Sequence, residues 1–69
     1  MSVSYRKLWH LCLDKGISKT ELVTLAGISS NTVAKLGKNQ GVNIETLAKI
    51  CRALDCDIGD IVEMSKRKE

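Results

Sequence analysis

This 69-residue sequence has no proline and no phenylalanine, and its aromatic content is one tryptophan and one tyrosine. Without proline, nothing forbids helix in any segment. A single histidine leaves little material for acid–base chemistry. Three cysteines, an odd number with no apolar leader before them, argue against a disulfide framework. They fit reduced thiols and a cytoplasmic location. No apolar run approaches the roughly 20 residues of a membrane span.

The remaining composition favours a small helical domain. Hydrophobic residues make up 43% of the chain, enough for one modest core at this length. The formal net charge is +3, and it is unevenly spread. Residues 1–41 carry six Lys/Arg against two acids, whereas residues 42–64 carry two against five. A basic first half suits an anionic partner.

Periodicity and end signals divide the chain into five expected helices within a single domain, 1–69. The first is expected from about Ser4 to Lys15, capped by Ser2 or Ser4. Leu8, Leu11, Cys12, Tyr5, Trp9 and Leu13 share one broad arc, and Gly16 is the stop. Trp9 and Leu13, at the arc's edge, serve either the domain's own packing or a partner subunit. The second helix starts at Ser18, where Ser18 and Glu21 have capping-box spacing and Ile17 is placed to staple onto Leu22. Leu22, Leu25 and Ala26 form its inward face, and Gly27 ends it.

The third helix starts at Ser29, with Val33 and Leu36 inward, and stops in the Gly37–Gly41 region. The fourth is capped by Asn43 and runs to about Leu54, with Ile44, Leu47, Ala48, Ile50, Cys51 and Leu54 in phase. The fifth is capped by Asp57 and runs to about Met64 on Ile58, Ile61 and Val62, with Gly59 inside it at a cost of about 1 kcal/mol. Residues 65–69 are expected to fray.

Ser18–Lys38 thus has the layout of a helix-turn-helix. In such a pair the first helix braces the second against the DNA backbone, and the second presents its N-terminal residues to base edges in the major groove. The Asn31 amide matches the acceptor and donor of adenine, Lys35 can reach guanine acceptors, and Ser30 and Thr32 can meet base edges. The lesser alternative for Asn31 is a local cap or back-bond. Ala34 allows close approach. Lys19, Thr20 and Lys38 are placed for phosphates, together with backbone N–H groups at the helix starts.

Residues 17–62 resemble the phage-repressor and Cro-like helix-turn-helix domains, the Xre family. The resemblance rests on I-S-K-T-E-L-V-T-L-A-G-I-S-S-N-T-V-A-K-L and on I-E-T-L-A-K-I-C-R-A-L-D-C-D-I-G-D-I-V. It implies an all-α, compact, five-helix lambda-repressor-like bundle. It also implies DNA-facing roles for Lys19, Ser30, Asn31, Thr32 and Lys35, and backbone-facing roles for Ser18 and Lys38. The Y-x-K-L-W start resembles a subgroup of small stand-alone bacterial regulators. Val23, where the motif usually has alanine, and Gly37, where the family often has a helix former, depart from the pattern.

The expected function is therefore sequence-specific binding of double-stranded DNA by a transcriptional regulator, as a homodimer on a pseudo-palindromic operator. Either Trp9 and Leu13 or Val62 and Met64 would form the dimer surface. The alternative is an antitoxin-like or other protein-interaction module on the same scaffold. No cofactor, metal or small-molecule ligand is indicated. The spacings of His10, Cys12, Cys51 and Cys56 match no zinc signature, and no nucleophile has a plausible base, so the chain is not read as an enzyme.

Overall fold

In the computed structural model, residues 2–65 are described. The order is β1 (Ser2–Ser4), α1 (Arg6–Lys15), α2 (Lys19–Ala26), α3 (Ser30–Gly37), α4 (Ile44–Leu54), a 3-10 turn (Ile58–Asp60) and β2 (Glu63–Ser65). The fold is mostly helical, but its described residues hold four α-helices and not five.

The expected fifth helix is a single 3-10 turn followed by a strand. Asp57 caps it, and the Asp60 side chain accepts from the Asp57 N–H in return. The Asp60 and Ile61 amides then bond three residues back, to Asp57 and Ile58. With Gly59 in its middle the segment is too short to propagate a helix unaided. It instead turns so that Ile61 is buried. The chain then runs antiparallel to β1, with Val3 opposite Met64. Ser65 therefore belongs to a strand, and the rest of the expected frayed tail, 66–69, lies outside the described residues.

The start of α1 also differs from expectation. Ser4 is in β1 and Tyr5 is the N-cap residue; the Tyr5 side chain makes no cap bond, but Ser4 Oγ accepts from the Arg6 N–H at 3.3 Å. The other caps are those the sequence spells. Ser18 Oγ accepts from the Glu21 N–H at 3.1 Å while Glu21 Oε1 accepts from the Ser18 N–H at 2.9 Å. Ser29 Oγ accepts from the Thr32 N–H at 3.1 Å, and Asn43 Oδ1 from the Thr46 N–H at 2.8 Å. Gly16 and Gly27, both at φ 69°, supply the left-handed residue that ends α1 and α2.

The core joins all the helices. Tyr5, Leu8 and Cys12 from α1 and its cap meet Leu22 and Ala26 of α2, Leu36 of α3, Leu47, Ile50 and Leu54 of α4, and Ile61. Full burial of each aliphatic side chain contributes about 1.5–3 kcal/mol. Three residues expected to face inward do not, Ile58 at 36% exposure among them. Leu25 is 55% exposed and Ile44 is 65% exposed. These two lie at helix ends, where the apolar stripe runs past the neighbouring element. Leu11 is half-buried against the core, not inside it. Arg6 pairs with Glu63 at 3.4 Å and Lys7 Nζ donates to the Gly59 carbonyl at 2.9 Å, tying α1 to the turn and β2.

Candidate nucleic-acid interface

α2 and α3 are joined through Gly27, whose N–H and that of Ile28 both donate to the Val23 carbonyl, at 3.0 and 3.2 Å. The Val23 side chain is half-buried. Leu22 and Ala26 bury one face of α2, and Leu36, with Val33 half-buried, anchors α3. The angle between the helices is therefore set by apolar contacts that face away from solvent.

What faces solvent on α3 is polar and basic. Ser30, Asn31, Ala34, Lys35 and Lys38 are all exposed. Their spacing puts them on one side of the helix, opposite Leu36. Thr32 is different. It is half-buried, and its hydroxyl shares a 3.0 Å hydrogen bond with Ser29 Oγ, so it belongs to the cap of α3. Gly37 is the last residue of α3, and the left-handed residue beyond it is Asn39, at φ 57°.

At the start of α2, Ser18, Lys19 and Thr20 are exposed. The Ser18 oxygen is committed to the capping box. Lys19 is held by a contact that its sequence position does not announce: its Nζ lies 4.8 Å from the centroid of the Trp9 ring. Trp9 is half-buried and packs on the core, so it is an internal brace whose outer face carries a lysine. Its apolar character was the signal available in the sequence. The partner was not.

The remaining chemistry-bearing groups lie elsewhere. His10, Asp14, Lys15, Asp55, Cys56 and Asp60 line a shallow hollow of about 470 Å³ between α1 and the 3-10 turn. Among the described residues no group of His, Cys, Asp and Glu is placed to hold a metal ion. Burial raises the Cys12 thiol pKa. Burial, with Cys51 and Asp60 adding to it, pushes the Cys56 thiol up to about 11. At neutral pH Cys56 is therefore a protonated thiol, poorly suited to nucleophilic work. No helix among the described residues is long and apolar enough to cross a membrane.

A braced helix pair with an exposed, cationic second helix, sharing one core with α1 and α4, defines a helix-turn-helix domain. The chain matches the family described as Cro/C1-type HTH DNA-binding domain over residues 7–67. It belongs to that family, which is one of transcription-regulator domains and not of enzymes. It is 41% identical over 49 residues to a protein of Bacillus subtilis (strain 168) named as an uncharacterized HTH-type transcriptional regulator, YozG. That match covers 68% of this chain and 58% of the relative. The crystal structure of the transcriptional regulator VanUg, form II, superposes with a TM-score of 0.86 at 50% identity. It covers 90% of this chain and 83% of that one.

Proposed function

We propose that this protein is a sequence-specific regulator of transcription that acts in the cytoplasm and binds double-stranded DNA as a homodimer on a pseudo-palindromic site. The observation that carries the reading is the exposed face of α3, where Ser30, Asn31, Lys35 and Lys38 project although nothing in the packing requires them. In this reading Asn31 and Lys35 meet base edges, with Ser30 at the groove entry and Thr32 contributing from the cap. Ser18, Lys19, Thr20 and Lys38 take phosphates.

The test is a duplex titration with and without excess mixed-sequence competitor. The expected result is salt-dependent binding, with a selected site retained in the presence of competitor. Lys19→Ala should lower the slope of log K against log salt by about 1, one phosphate contact. Absence of binding at low salt would sink the reading and leave the protein-interaction alternative. An unchanged slope would remove Lys19 from the phosphate set.

A further inference from the structure

The far end of α3 is held by a residue more than thirty positions upstream. After Lys38 the chain turns back through Asn39 in the left-handed region. The Gln40 N–H donates to the Lys35 carbonyl at 2.9 Å, and the Asn39 N–H to the Leu36 carbonyl at 3.1 Å. This is the Schellman pattern, and it uses asparagine in the place glycine usually takes. It brings Asn39 and Gln40 up to the start of α1. There the Tyr5 N–H donates to Asn39 Oδ1 at 3.1 Å, and the Tyr5 hydroxyl donates to the Gln40 carbonyl at 2.8 Å.

Tyr5 is 1% exposed. A phenylalanine would fill the same core space. What the hydroxyl adds is a bond to the loop leaving α3, and a buried hydroxyl left without its acceptor is costly. The N–H and the hydroxyl of Tyr5 are thus both spent on the two residues just beyond Lys38. Those same two residues cap the carbonyls of Lys35 and Leu36.

We infer that Tyr5 is a positioning residue for the DNA face: through Asn39 and Gln40 it fixes the last turn of α3, so that Lys38 meets a phosphate while Lys35 enters the groove. The inference rests on the DNA-binding reading above. A loosened last turn leaves the core intact but spreads the Lys38 ammonium over many positions, so the contact is made at a higher ordering cost.

The test uses the full chain and a mixed-sequence DNA duplex, titrated at several salt concentrations well below each variant's melting temperature. Tyr5→Phe should weaken binding roughly threefold to tenfold and lower the salt slope by up to about 1. In a Lys38→Ala background the same change should cost under roughly twofold, because the two residues act through one contact. Cys12→Ala, a core change away from the loop, should keep the wild-type slope. Amide exchange should quicken at Asn39–Gly41 in Tyr5→Phe. Wild-type affinity and slope in Tyr5→Phe, or an equal loss with and without Lys38, would overturn the assignment while leaving DNA binding in place. Failure of the unmodified chain to bind the duplex would instead remove the DNA reading, and this one with it.

Discussion

Lys19 occupies the first position of α2, where the helix dipole disfavours a cation. Folding alone gives no reason for a lysine there. A phosphate at the same place would be favoured both by the dipole and by the free N–H groups of the first turn. The Trp9 ring offsets the cost, since a cation–π contact at an exposed site is worth about 0.5–1 kcal/mol and restricts a long side chain in advance of binding. Asn31 poses the complementary case. The cap of α3 uses Ser29 and Thr32 and leaves the exposed Asn31 amide out. Asn31→Ala should therefore change folding stability by no more than about 0.5 kcal/mol. Binding to a selected site should fall by about 1–3 kcal/mol, with preference relaxed at one base pair. Titration against the selected site and its single-base variants measures both. An equal loss on every sequence would place Asn31 at the backbone and not at a base.

At the scale of elements, Ser18 separates folding from binding. Its oxygen caps α2, and the proposed interface sets it against the DNA backbone. Ser18→Ala should cost about 1 kcal/mol of stability, or roughly 4–8 °C in Tm for a domain of this size. Ser18→Asp keeps a good cap acceptor and adds negative charge. It should melt within a few degrees of the parent yet bind duplex more weakly, read by thermal denaturation and by the same titration. If Ser18→Asp bound as tightly as the parent, no phosphate would lie near the cap. The caps show why the helices were legible in the sequence. Each joins a side-chain oxygen to an N–H three residues on, so Ser18, Ser29 and Asn43 mark three starts by local spacing alone. The sheet was not legible. Strands of three residues have no period to detect, and Val3 finds its partner only at Met64. Asp57 is a cap, as its position predicts, but a cap does not fix the length or type of the element it starts. Long-range pairing with β1 made a strand where local spacing predicts helix. In the candidate site, the exposed face of α3 follows from the positions of Val33 and Leu36. The withdrawal of Thr32 into the cap, the Lys19–Trp9 stack and the bonds from Tyr5 to Asn39 and Gln40 depend on tertiary placement that no local spacing encodes.

Size governs the molecule as a whole. α3 has 8 residues and so spans roughly 12 Å, enough for a few base pairs in one groove. A single module of this kind buries about 600–1,000 Å² on DNA, which gives modest affinity. High affinity for one site then calls for two domains, and a two-fold pair sets its recognition helices about 34 Å apart, one turn of the duplex. The expected result of selecting bound duplexes from a random pool is an inverted repeat with half-site centres about 10 base pairs apart. Sedimentation on that duplex should give two chains per site. Two exposed apolar side chains are candidates for the surface between them, Leu13 at 76% exposure on α1 and Met64 at 56% on β2. They lie on different elements, so Leu13→Asp and Met64→Asp report separately. The variant that lowers the stoichiometry to one chain while leaving half-site contacts intact identifies the face. Recovery of an asymmetric site bound by one chain would end the homodimer proposal and require the whole specificity to come from a single α3.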